Sequence, residues 1–164
     1  MPSGRAAYVV DIENNAGGSD VKRSTIQESI TQIFDAVPCN YYDHVIVASG
    51  PTFASSNVGL LSSSNKSWPI TPRVLCGSGI NGADLQLMDF LQDVRKICGL
   101  YDRIILVSGD HIFETAAGSY RSLGVEVGVV ARKSALSNEL ANAADWVKYI
   151  PEVKQLKVRV SKVA

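Results

Sequence analysis

Short apolar runs of four to six residues alternate along this chain with stretches whose apolar residues recur at helical spacing. Strands buried on both faces read as continuous apolar runs, and each parallel crossover needs a helix, so the alternation is the signature of βαβ units. Ala6–Val10, Val45–Ala48, a short Val74–Cys76, Arg103–Val107, Val125–Val130 and Trp146–Ile150 read as strands one to six. Between them, Ile26, Ile30, Ile33, Phe34 and Val37 predict a helix that ends before Pro38, with Thr25 and Glu28 suited to a capping box. Further helices are expected over about 83–97, over His111–Leu123, and over Ser137–Ala144 behind Ser/Asn caps. The Ser/Asn/Gly-rich stretch Ser49–Ser67 reads as a mobile loop with a short helix near Val58–Leu61, a candidate lid or substrate contact. No internal repeat or linker interrupts the pattern. The expected fold is α/β, with a mostly parallel, doubly wound sheet of five to six strands, formed by residues 1–164 as a single domain.

Composition narrows the class. A chain of 164 residues buries about two thirds of its unfolded surface and needs no covalent staples. Cys39, Cys76 and Cys98 lack zinc-type spacing, and an odd count argues against a secreted disulfide framework, so a cytoplasmic location is expected. No apolar run approaches the roughly 18 residues of a membrane span. Sixteen basic and sixteen acidic residues give zero formal charge, so any nucleic-acid partner must be met by a local patch. The tail over 153–164 is one asymmetry: Lys154, Lys157, Arg159 and Lys162 occur there with no acid, a pattern that also suits an edge strand or terminus guarded by lysines. Lys22, Arg23, Lys66, Arg73, Arg132 and Lys133 are other candidate phosphate contacts, with Lys66, Arg73, Arg132 and Lys133 preferred. Tyr41, Tyr42 and Trp68 are candidate base-stacking residues, although Tyr41-Tyr42 before a strand is better read as core cover.

Three aspartates sit where an apolar segment meets a loop or helix start. Asp11 closes the first strand, Asp110 follows the fourth through Ser108-Gly109, and Asp84 opens a helix on the same face as Leu87, Met88, Leu91, Val94 and Cys98. An inward carboxylate needs a partner, because burying an unpaired charge costs several kcal/mol. Arg73 is one candidate partner for Asp84, and an N-cap role is the plain alternative for Asp110. Asp11 has no evident capping duty before Ser19 or Asp20. If strands one and four are neighbours, all three carboxylates converge at one sheet edge, where open α/β folds bind ligands. Such a set suits Mg²⁺ or Mn²⁺, with Asn14 and Ser108 supplying neutral oxygens and Asn81 bracing the loop before Asp84.

Val9-Val10-Asp11-Ile12-Glu13-Asn14, Gly79-Ile80-Asn81-Gly82-Ala83-Asp84 and Leu106-Val107-Ser108-Gly109-Asp110 together resemble the three motifs of NYN domains, relatives of the PIN-domain nucleases. Leu123-Gly124-Val125-Glu126-Val127 and Ser137-Asn138-Glu139-Leu140 also resemble the ends of such domains, so the likeness spans nearly the whole chain. The resemblance implies a three-layer α/β/α, PIN-like fold and a metal-dependent endoribonuclease in which Asp11, Asp84 and Asp110 hold Mg²⁺ or Mn²⁺. It also implies cleavage to a 5′ phosphate and a 3′ hydroxyl, with Asn14, Asn81 and Ser108 in support. RNA is the implied partner, a homodimer stays open, and no membrane association is expected. One departure stands out: family members often carry a second acid two residues after the third aspartate, where this chain has Ile112. His111 and Glu114 are the candidates to substitute in part, and the alternative reading is a non-catalytic RNA- or protein-binding module with a degenerate site.

Other chemistries fit less well. A haloacid-dehalogenase-like phosphatase expects a second aspartate two residues after the first, and this chain offers Glu13. A receiver-like domain needs an aspartate at the end of a later strand, which Val47-Ala48-Ser49 does not provide, and Gly77-Ser78-Gly79 is not a dinucleotide fingerprint.

Overall fold

The structure, a computed structural model, describes residues 4–18, 21–61 and 66–153. The lysines and arginine of the basic tail, together with Ser19 and Asp20, lie outside the described residues. Strands β1 (Ala6–Asp11), β2 (His44–Ser49), β3 (Arg73–Cys76), β4 (Arg103–Val107), β5 (Glu126–Arg132) and β6 (Trp146–Ile150) form one sheet of order β3-β2-β1-β4-β5-β6. Every pairing is parallel. The chain winds outward from β1 to β3, then returns past β1 to start β4, so the switch point lies between β1 and β4.

Side chains alternate across each strand, and this divides the core in two. On one face Ala6, Tyr8, Val10, Val45, Val47, Ile105 and Val107 meet Ile12, Ile26, Ile30, Ile33 and Phe53 from α1 (Ile12–Ala16), α2 (Arg23–Ala36) and α3 (Pro51–Ser56), with Leu60 from α4 (Val58–Leu61). On the other, Ala7, Val9, Ile46, Ile104, Leu106, Val127 and Val129 meet Leu87 and Leu91 of α5 (Gly82–Gln92) and Ile97 of α6 (Val94–Leu100). Ala117 and Tyr120 of α7 (Glu114–Ser122) and Leu140 of α8 (Asn138–Ala143) complete that layer. β1 is buried along its whole length, which is why it reads as an unbroken apolar run. Truncating one of these residues, for example Ile30→Ala, would cost about 2–5 kcal/mol.

Several local expectations are corrected. The loop after β1 begins with the short helix α1, and Asp11 caps it by accepting from the Asn14 N–H at 3.2 Å. Thr25 and Glu28 form no capping box; α2 starts two residues before Thr25, behind Lys22, which makes no side-chain cap bond. The helix expected over 83–97 is broken at Asp93, whose carboxylate caps α6 through the Lys96 N–H at 3.1 Å. The break turns Val94 and Cys98 out to solvent, so only Leu87, Leu91 and the half-buried Met88 share the inward face with Asp84. The segment after Asp110 opens as a 3-10 turn, His111–Phe113, before α7. Pro51–Ser56 is helical where a loop was expected, with Pro51 in the first turn, where its missing N–H costs nothing.

Candidate functional site

Asp11 and Asp110 occupy the two sides of the switch point, and their backbones are tied across it by asparagines. Asn15 donates from Nδ2 both to its own strand at Asp11 O, 2.7 Å, and to Val107 O of β4, 2.5 Å. Asn14 accepts at Oδ1 from the Gly109 N–H, 3.3 Å. Ser108, fully buried, accepts at Oγ from the Asp110 N–H at 3.2 Å, and Asp110 Oδ1 accepts from the Ile112 N–H at 3.0 Å while His111 Nδ1 stands 3.2 Å away. Asp110 is therefore an N-cap as well as a cleft carboxylate. Gly109 is required where it stands, because a Cβ there would overlap the carbonyl of Ala135.

Asp84 reaches the same place from the third side. Gly77 and Gly82 approach so closely that a Cβ on either would overlap the other's backbone, and this contact folds the β3–α5 loop back over the sheet edge. Asn81 precedes α5 in the left-handed conformation, φ 57°, and makes no side-chain cap bond; its role in the loop is backbone geometry. Asp84 thus lies in the first turn of α5, 8% exposed, with Oδ1 lacking any hydrogen-bond partner among the described residues.

The carboxyl groups of Asp11 and Asp84 meet side chain to side chain. Burial, then the hydrogen bond and charge of Asp84, push Asp11 up to about 8. Burial also raises Asp84, the charge of Asp110 adds to this, and the hydrogen bond from Asp11 opposes it. Two buried carboxylates in contact oppose each other's ionisation, so the pair favours holding a proton. Arg73, the candidate partner for Asp84, lies at the opposite end of β3 and is not involved.

Asp11, Asp84 and Asp110 line a single cleft of about 430 Å³, together with Glu13, Asn14, Asn81 and six glycines. No lysine or arginine is among its described lining residues. Glu13 was not expected as a site residue. Its Oε1 accepts from the Gly50 N–H at 2.5 Å, which fastens the start of α3 to the cleft wall. Asn15 was missed as well; the only signal was a polar residue one helical turn beyond Asp11, on an otherwise apolar inward face.

The basic candidates fall elsewhere. Arg132 is buried and donates to Asn15 O at 2.7 Å, Ser29 Oγ at 2.8 Å, Gln32 Oε1 at 3.3 Å and Pro151 O. It is a tie between β5, α1 and α2, not a phosphate contact. Lys66 and Lys133 are exposed and outside the cleft lining. Tyr41 is 90% exposed and covers no core, whereas Trp68 is buried with its indole N–H on Leu60 O at 2.6 Å.

All cleft donors are oxygens, and a buried carboxylate oxygen without a partner is what a hard cation would satisfy. The residues fit such an ion. As the side chains stand, no group of three or more His, Cys, Asp or Glu among the described residues is arranged to hold one metal. The donor set in contact is the Asp11–Asp84 pair, with Asp110 within Coulomb range.

A parallel three-layer α/β/α sheet with an acidic cleft at its switch point has the architecture of the PIN-like nuclease folds. The chain belongs to the NYN domain family, whose sequence model matches residues 7–152. The fold is similar to the crystal structure of a protein of unknown function, VPA0982, from Vibrio parahaemolyticus, with a TM-score of 0.62 at 18% identity over 92% of this chain and 94% of that one. Among curated proteins none matches significantly. No helix among the described residues is long and apolar enough to cross a membrane.

Proposed function

We propose that this protein is a metal-dependent endoribonuclease whose cleft binds a phosphodiester together with Mg²⁺ or Mn²⁺. The observation that carries the reading is the Asp11–Asp84 pair, two buried carboxyls, one with an unpartnered oxygen, brought together in a cleft without a basic residue in its described lining. An arrangement that unfavourable for the empty protein is relieved by a divalent cation, and Mg²⁺-type ions commonly take only one or two carboxylates and complete their shell with water and phosphate. Asp11 and Asp84 would hold the ion, with Asp110 adding negative charge from the other side of the switch point. Once bound, it would supply Lewis acidity toward the phosphate and a water of lowered pKa.

The chain's own groups do the rest. Asn15 and Asn14 fix the ends of β1 and β4 at one separation, so Asp11 and Asp110 keep their places across the switch point. Asp110 has Oδ1 occupied by the Ile112 N–H and keeps Oδ2 to accept a proton from an attacking water. The six glycines keep side chains off part of the cleft wall, so a sugar-phosphate backbone can approach the main chain closely there. Hydrolysis in this manner leaves a 5′ phosphate and a 3′ hydroxyl.

Incubating labelled RNA with the protein and Mn²⁺ tests the proposal. Cleavage is expected, with a loss of at least about 100-fold in Asp11→Asn and Asp110→Asn. Cleavage persisting in both variants contradicts it. Ile112, in place of a second acid, favours one further reading, a binding module that does not cut. RNA binding indifferent to EDTA, with no cleavage, would select that reading.

A further inference from the structure

A second cavity, of about 340 Å³, lies at the other edge of the sheet. His44 starts β2, Arg73 starts β3 and Tyr101 immediately precedes the approach to β4, so this cavity stands at the amino ends of the strands. The six residues of β2, at about 3.3 Å each, separate it from the acidic cleft by roughly 15–20 Å. It shares no lining residue with that cleft.

Its chemistry is the reverse of the cleft's. Arg73 and Lys96 both line it, and neither side chain has an ion-pair or hydrogen-bond partner among the described residues. Arg5 adds a third positive charge close enough to act on both His44 and Tyr101. Asp43 is the one acid in the lining, and its carboxylate is consumed by the Ala6 and Asn40 N–H groups at 2.8 Å each. Ile46, Phe90 and Leu100 supply an apolar wall.

One built polar element completes the cavity. Tyr101 Oη lies 2.7 Å from His44 Nδ1, with the rings edge to face at 5.5 Å. Burial raises the Tyr101 pKa, which favours the protonated hydroxyl. Burial, then the charge of Arg5, lowers the His44 pKa, which favours the neutral ring. His44 Nε2 has no partner among the described residues, which leaves this nitrogen available to a ligand.

We propose that this cavity is a binding site for a small ring-bearing anion of nucleoside-monophosphate size, its phosphate held by Arg73 and Lys96 and its ring against Phe90 and Leu100. The volume falls at the lower end of the range of small-molecule sites, and paired cations beside an apolar wall are what a phosphomonoester on a planar ring requires. The proposal is independent of nuclease activity, because none of these residues touches the acidic cleft.

The test is calorimetric titration of the four nucleoside monophosphates, inorganic phosphate and the unphosphorylated nucleosides into the protein in EDTA. At least one monophosphate is expected to bind at least about tenfold more tightly than either phosphate or its nucleoside. Arg73→Gln and Lys96→Gln should each weaken it about tenfold or more, whereas Asp11→Asn should leave it unchanged. Both basic residues are exposed, so these variants are expected to fold; a thermal melt of each confirms it. Absence of binding up to millimolar ligand overturns the proposal. So does binding insensitive to both basic substitutions, binding lost in Asp11→Asn, or phosphate alone binding as well as every nucleotide.

Discussion

Asp11 at the end of β1 and Asp84 in the first turn of α5 bring two buried carboxyl groups together in one cleft at the switch point of the sheet. Both are buried, and the Asp84 oxygen Oδ1 has no hydrogen-bond partner among the described residues. Burying two carboxyls together opposes folding stability, and its consequences can be measured without any substrate.

Asp11→Asn should raise the melting temperature of the metal-free protein near pH 8. Asparagine caps α1 as well as aspartate does, and its amide can donate to Asp84 without a charge conflict. A gain of about 1–2 kcal/mol, or roughly 3–6 °C for a chain of this size, is expected by thermal melting. A fall would show that the pair is not in conflict.

The pH dependence follows from the sign of the shift. Asp11 is raised from an ordinary 3.8 to about 8, so its neutral form is favoured by folding. Its contribution is fully present below the ordinary value and is lost as pH rises through about 8; the raised Asp84 acts in the same direction. Melting of the metal-free protein should therefore show stability declining between about pH 5 and pH 8.5 more steeply than in Asp11→Asn. Saturating Mn²⁺ should flatten the decline, since the ion replaces the proton.

Arg132→Met should destabilise the protein by about 3 kcal/mol through the acceptors it strands, Asn15 O, Ser29 Oγ and Pro151 O. Urea unfolding reads the loss. RNA affinity of the folded fraction should change little, because the guanidinium is buried rather than presented to a ligand.

Ile112→Asp restores the acid that family members often have. Ile112 is half-buried against the apolar cluster on this face of the sheet, so the change is expected to cost about 1–2 kcal/mol of stability. It should raise Mn²⁺ affinity and cleavage rate together. A stable Ile112→Asp protein with neither gain would show that this position does not face the ion.

The frame was legible in the sequence because a strand buried on both faces cannot disguise itself, and Ala6–Asp11 and Arg103–Val107 carry no polar residue on either face until their ends. The break at Asp93 was not, since the apolar spacing continues through Val94 and Cys98 and only the cap geometry shows that the second helix has turned. The three aspartates could be placed at one sheet edge from strand order alone. That Asp11 and Asp84 touch depends on the Gly77–Gly82 backbone contact, which no periodicity encodes. Arg132 reads in the sequence as a candidate phosphate contact, because two of the acceptors that hold it inside lie more than a hundred residues away in Asn15 and Ser29.

Calorimetric titration of Mn²⁺ into the wild-type protein and Asp84→Asn tests the central claim most directly. The account predicts saturable binding to the wild type that strengthens with pH and releases protons, and at least about tenfold weaker binding to the variant. Equal affinity in the two proteins, or no binding to either, would contradict it.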